Sequence, residues 1–199
     1  TFLDEILSEI SLIKNKQTKE NHTSNVLEDD IFHAVYAEYL RRMKIMNKID
    51  FDDMVTKCYE LLLKDGNVLR KWQERFRYIL VDEFQDINDL QYQILKLLAQ
   101  NHHNIFAVGD EDQSIYSFRG ANPQISFQFL KDYPEAKQIF LSINYRSDIS
   151  IVKASLNLIR HNKNRFIKHI DSFQKEGGHF HVLQYDCEKE EYEALAKQL

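Results

Sequence analysis

The run Tyr78-Ile79-Leu80-Val81-Asp82-Glu83-Phe84-Gln85-Asp86 decides how the rest of the chain is read. An apolar run stops abruptly at two acids. The pattern recurs: Ile105-Phe106-Ala107-Val108 stops at Gly109-Asp110-Glu111-Asp112-Gln113, and Gln138-Ile139-Phe140-Leu141 leads into Ser142-Ile143-Asn144-Tyr145-Arg146-Ser147. Short apolar runs that end on chemically capable residues are how buried parallel strands read when a site lies at their carboxyl ends. Helical patterns separate them, around Leu90–Leu98 and around Ile125–Leu130, the latter broken by Pro134. A further helix runs from Asp148, a natural N-cap, to about Ile159. Strands alternating with helices predict an α/β fold with a right-handed, mostly parallel sheet.

Upstream, the spacing predicts helices only. Phe2 to Lys14 carries Phe2, Leu3, Ile6, Leu7, Ile10 and Ile13 at helical intervals, and 15–25 is polar and reads as a loop. A second helix, capped by Asp29 or Asp30, presents Ile31, Val35, Tyr39, Met43 and Met46. Asp50 caps a third, which buries Phe51, Met54, Val55, Cys58, Leu61 and Leu62 and ends at Gly66. A short helix, Val68 to Phe76, leads into the first strand. Downstream, 153–175 is basic, Gly177-Gly178 turns the chain, His179 to Tyr185 alternates like a strand, and Glu188 to Leu199 reads as a helix.

The 199 residues, 43% hydrophobic and 29% charged, are enough for a real core. No apolar run approaches the roughly 20 residues of a membrane span. No signal peptide is visible, so no membrane partner is expected. Cys58 and Cys187 lie far apart and form no ligand cluster, which fits a reducing, cytoplasmic location. A net charge of −5 leaves no global footprint for nucleic acid, so DNA contacts must be local. The start at Thr1 and the lack of a Gly-x-x-x-x-Gly-Lys-Ser/Thr loop point to an internal fragment of a longer protein.

Each candidate residue has two readings. Asp82 and Glu83 either cap the following helix or hold a hydrated Mg²⁺ and activate a water. Gly109-Asp110 and Gln113 either build a hydrogen-bonded turn or present a neutral amide to a terminal phosphate. Tyr116, Phe118 and Arg119 are either core aromatics with a surface cation or a stacking platform for unpaired bases. Arg146 either pairs with a surface acid or stabilises charge on a transferring phosphoryl group, with Tyr145 beside it to stack on a purine.

The joint pattern is far more specific than its parts. It resembles the superfamily 1 DNA helicases of the UvrD/Rep type, continuously from about Ile49 to Lys168. Asp82-Glu83-Phe84-Gln85-Asp86 is similar to their Walker B motif. Gly109 to Ala121 is similar to the motif that couples nucleotide to DNA, and Asn144-Tyr145-Arg146-Ser147 to the motif after it. The resemblance implies ATP and Mg²⁺ as cofactors, and DNA, single-stranded or at single-stranded/duplex junctions, as partner. It implies that Asp82 holds Mg²⁺, Glu83 activates water, Gln113 contacts the γ-phosphate, Arg146 is an arginine finger, and Tyr145 stacks near the adenine. Tyr116, Phe118 and Arg119 contact single-stranded DNA, with Phe118 where many relatives have tryptophan.

The implied fold is a partial RecA-like P-loop NTPase sheet with an added helical subdomain. Residues 1–48 belong to an inserted helical region, 49–140 to the later half of the first motor domain, and 141–199 to the start of the second. The family's phosphate-cradling loop is missing from these residues, so the chain alone is expected to hydrolyse ATP negligibly. The rival is a non-catalytic module that binds single-stranded DNA or a repair partner on an inherited fold.

Overall fold

The computed structural model describes residues 2–16, 23–114, 121–175, 177 and 182–198. Two compact units, Thr1–Ala136 and Lys137–Leu199, are taken separately.

The first unit opens with four helices: α1 (Phe2–Lys16), α2 (Asp29–Ile45), α3 (Phe51–Lys64) and α4 (Gly66–Arg75). Ile6, Ile10 and Ile13 of α1 pack on Phe32 and Tyr36 of α2. Of the predicted α2 stripe, Tyr39 packs against this core, but Ile31 and Val35 face outward and Phe32 and Tyr36 are buried in their place. Asp50 caps α3 as predicted, in a reciprocal capping box with Asp53. Of the six apolar residues assigned to its buried side, only Leu62 is fully buried, and Phe51 is 85% exposed. Met54, Val55 and Cys58 line an open cleft with Gln91 and Ile94 of the helix at 89–99, and the first turn of α3 is held by polar bonds. Lys14 Nζ donates to Asp50 at 2.5 Å and to Asp53 at 3.0 Å, and Asn15 Nδ2 donates to Asp52 at 3.0 Å. These bonds join the acidic first turn of α3 to α1, and Phe51 beside it is exposed.

Burial alone would lower the Lys14 pKa, but the hydrogen bonds to Asp50 and Asp53 outweigh it and raise it. Burial likewise opposes ionisation of Asp50, and the bonds it accepts from Lys14 and the Tyr39 hydroxyl bring its carboxyl below the usual range. Gly66 does not end α3. Asp65 closes α3 and caps α4, accepting from Asn67 and Val68 N–H, and Gly66 is the first residue of α4.

Strand β1 (Ile79–Val81), helix α5 (Asp89–Ala99), strand β2 (Ile105–Ala107) and helix α6 (Gln124–Asp132) follow. The strands pair in parallel, Ile79 with Ile105 and Val81 with Ala107, as the strand–helix–strand pattern predicts. Ile79, Val81, Ile105 and Ala107 pack on a core of Phe84, Tyr92, Leu95 and Ile125, so α5 and α6 cover one face. Leu80 and Phe106 point to the other face and are exposed. Tyr92 and Lys96 of α5 both donate to Asp132 of α6, at 2.9 and 2.8 Å.

The second unit has β3 (Ile143–Asp148), α7 (Ile149–Ile159), β4 (Asp171–Gln174) and α8 (Glu188–Gln198). Asp148 caps α7 as predicted, accepting from Ser150 and Ile151 N–H. The predicted strand Gln138–Leu141 is not one. Regular pairing begins at Ile143, opposite Asp171, and Ile139 and Leu141 are exposed. Tyr145 and Arg146 therefore lie within a strand and not after it. Of the predicted strand His179–Tyr185, 182–185 is irregular and 179–181 falls outside the described residues. Among the described residues no helix is long and apolar enough to cross a membrane.

Candidate active site

The site in the first unit forms where β1 and β2 end. Backbone pairing continues past both strands: Val108 N–H donates to Val81 O, and Phe84 N–H donates to Val108 O, each at 2.8 Å. The two segments after the strands are thus held against each other. Asp82 and Glu83 are exposed, and Asp82 Oδ1 accepts the Glu83 N–H at 2.9 Å. Glu83 adopts left-handed backbone angles, φ 50° and ψ 45°, which cost a non-glycine residue on the order of 1 kcal/mol. Such strain is tolerated where the surroundings over-determine it, and it is common at functional sites. A 3₁₀ turn, Phe84–Asp86, follows at once.

Gln85 is the residue that the sequence reading passed over. It is only 2% exposed, and both ends of its amide are used. Nε2 donates to Glu83 Oε2 at 2.7 Å, and Oε1 accepts the Asp110 N–H at 2.9 Å. Its carbonyl also accepts from Ser114 Oγ at 3.2 Å. Gly109 is needed beside it for space. A Cβ there would lie 2.8 Å from Gln85 Oε1 and 3.1 Å from both Phe84 Cβ and Phe84 N. The backbone of Gly109 has no positive φ, so the glycine is required by close approach and not by its backbone angles.

Asp110 then starts a second 3₁₀ turn, Glu111–Gln113, with Oδ1 accepting the Asp112 N–H at 3.2 Å. Gln113 is exposed, and its Nε2 donates to Asp110 Oδ2 at 2.7 Å. A continuous polar line thus runs from the Glu83 carboxylate through Gln85 and Asp110 to the Gln113 amide. The structure brings together three predicted residues, Asp82, Glu83 and Gln113, and keeps them open to solvent. Tyr116, Phe118 and Arg119 lie outside the described residues.

Tyr145 and Arg146 belong to the second unit. Pairing between β3 and β4 slips between Asn144 and Asp148, so β3 bulges at 145–147. Asn144 Oδ1 accepts from both Arg146 N–H, at 2.9 Å, and Ser147 N–H, at 2.8 Å. Buried Ser172 closes the bulge by donating to Ser147 O at 2.6 Å. Both Tyr145 and Arg146 are exposed, and the Tyr145 ring lies 5.1 Å from that of Phe173. The Arg146 guanidinium makes no hydrogen bond or ion pair among the described residues.

No group of three or more His, Cys, Asp and Glu is placed to hold a metal among the described residues. Mg²⁺ does not require one. It takes one or two carboxylates and completes its shell with water and phosphate oxygens. Asp82 fits that demand: it is exposed, and the one bond described for it uses Oδ1 alone.

Comparison with known proteins decides the family. The UvrD/REP helicase N-terminal domain matches residues 2–134. The chain belongs to the UvrD/Rep helicase family. Among its relatives, the putative ATP-dependent DNA helicase YjcD of Bacillus subtilis is 41% identical over 192 residues, 95% of this chain and 25% of the relative. ATP-dependent DNA helicase Rep of Escherichia coli is 39% identical over 200 residues, 99% of this chain and 30% of Rep. ATP-dependent DNA helicase PcrA of Staphylococcus epidermidis is 37% identical over 193 residues, 96% of this chain and 26% of PcrA. The chain thus spans between a quarter and a third of the length of these UvrD/Rep relatives.

Proposed function

We propose that this chain is the part of an ATP-dependent DNA helicase or translocase that carries the catalytic carboxylates and the phosphate-sensing amide. One observation carries the reading: the polar line from Glu83 to Gln113 at the carboxyl ends of two parallel strands. Family membership and the names of the relatives support it. On this reading the chain contributes to two RecA-like lobes, with 49–140 in the first and 141–199 in the second, and 1–48 belongs to an inserted helical region. The partner is DNA with a single-stranded portion, and the setting is repair or recombination.

Asp82 would hold Mg²⁺, which when bound would supply positive charge to offset that of the phosphates. Glu83 takes a proton from the attacking water, since its exposed carboxylate keeps Oε1 free of hydrogen bonds among the described residues while Oε2 is held by Gln85. Gln113, neutral and able to donate and accept, contacts the γ-phosphate. Arg146, planar and permanently charged, stabilises the phosphoryl group in transfer, and Tyr145 stacks near the adenine. Tyr116, Phe118 and Arg119 contact unpaired bases.

The test is Glu83→Gln in the intact protein. The amide cannot accept the proton from water, so DNA-stimulated turnover falls by about 100-fold or more while ATP binding persists. Near-normal turnover in that variant defeats the reading.

A further inference from the structure

We propose that Gln85 is a positioning residue that holds the Glu83 carboxylate in register with the Asp110–Gln113 turn. The inference rests on the reading of Glu83 as the base. Gln85 touches neither water nor phosphate in that scheme and acts through its neighbours.

Three features carry the assignment. The first is that the amide orientation is dictated by its partners. The Asp110 N–H can only donate, so it must face Oε1, and an ionised Glu83 can only accept, so it must face Nε2. No other uncharged side chain of this length offers one acceptor and one donor in that fork.

The second feature is confinement. Gln85 is 2% exposed, and Gly109 leaves its Oε1 no spare room. Its backbone is tied as well, through its own carbonyl to Ser114 Oγ and through its neighbour Phe84 N–H to Val108 O. The third is that Glu83 needs holding. Its backbone is in the left-handed region and its side chain is exposed, and the bond from Gln85 is the one hydrogen bond described for its carboxylate. A base that must meet a water at hydrogen-bond distance loses rate steeply when it wanders.

The experiment compares three variants of the intact protein by ATP turnover with single-stranded DNA, nucleotide binding and thermal melting. Glu83→Gln is the control for the base. In Gln85→Leu, of similar size, kcat is expected to fall about 10- to 100-fold with the KM for ATP changed less than about threefold, since alignment and not binding is lost. Gln85→Met separates positioning from mere packing. It keeps the length and bulk of the side chain and loses both the donor to Glu83 and the acceptor for Asp110 N–H.

In Gln85→Met kcat is therefore expected to fall about 10- to 100-fold with the KM for ATP within about threefold of the parent. A merely structural role moves kcat, KM and the melting point together, and Gln85→Met decides the matter even if Gln85→Leu fails to fold. Parental kcat in Gln85→Met, or a fall in kcat matched by an equal rise in KM, with Glu83→Gln inactive, overturns the role of Gln85 and leaves the helicase reading standing. Active Glu83→Gln overturns both.

Discussion

Adding one methyl group at Gly109 tests the packing that builds the site. In Gly109→Ala the new Cβ meets Gln85 Oε1 at 2.8 Å and Phe84 Cβ and N at 3.1 Å. The first distance is shorter than carbon and oxygen tolerate. Gln85 Oε1 is the far end of a side chain, but it is pinned by Asp110 N–H on one side and by the Glu83 bond on the other. Phe84 N is backbone and donates to Val108 O.

Overpacking of this kind costs about 1–3 kcal/mol. Loss of the bond to Asp110 N–H adds about 1 kcal/mol. The expected total is about 2–4 kcal/mol, or a melting point lower by roughly 4–15 °C for a protein of this size. Urea unfolding of the parent and of Gly109→Ala measures it.

A double-mutant cycle gives the sharper result. Truncation in Gln85→Ala removes the atom nearest the new Cβ, so Gly109→Ala should cost about 1–2 kcal/mol less in that background. A cost below about 0.5 kcal/mol for Gly109→Ala alone, or an equal cost in both backgrounds, refutes the claim that this glycine exists to admit Gln85.

Two further predictions concern the junction of α1 with α3. Lys14→Met leaves Asp50 and Asp53, 25% and 16% exposed, facing each other without their cation. Because neither acid is fully buried, the cost should be about 2–3 kcal/mol by chemical denaturation, below the value for a sealed pair; no measurable loss would show that the pair is only superficial. The same site predicts acid sensitivity. The folded pKa of Asp50 is depressed, so its contribution is complete above the unfolded value of about 3.9 and is lost as pH falls through the lower folded pKa. Unfolding free energy should decline below about pH 4, and Lys14→Met should show a shallower decline. An identical acid slope in the two proteins would place the effect elsewhere.

Much of the fold was legible because its signals are local. Asp50 and Asp148 cap α3 and α7 as their sequence positions predict, since a cap is settled within three or four residues. The parallel pairing of β1 with β2 follows from two short apolar runs separated by a helix. The failures were those of partners distant in sequence. The apolar run Ile139-Phe140-Leu141 looks more like a strand than Asp171-Ser172-Phe173-Gln174 does. Pairing nevertheless goes to the latter, because Ser172 closes the β3 bulge from 25 residues away. Phe51 reads as core because its spacing is helical, yet it is exposed beside Asp50, which is bonded to Lys14, 36 residues upstream.

By itself, the order of residues determined the family and the chemical inventory: an acid pair, a glycine-led turn ending on Gln113, and an arginine beside a tyrosine. These features are written in contiguous motifs. Only the tertiary structure decided what Gln85 does. An amide beside an acid pair reads alike whether it faces water or the interior. Its burial depends on an N–H at Asp110, 25 residues along the chain, and on a glycine small enough to let the two segments meet.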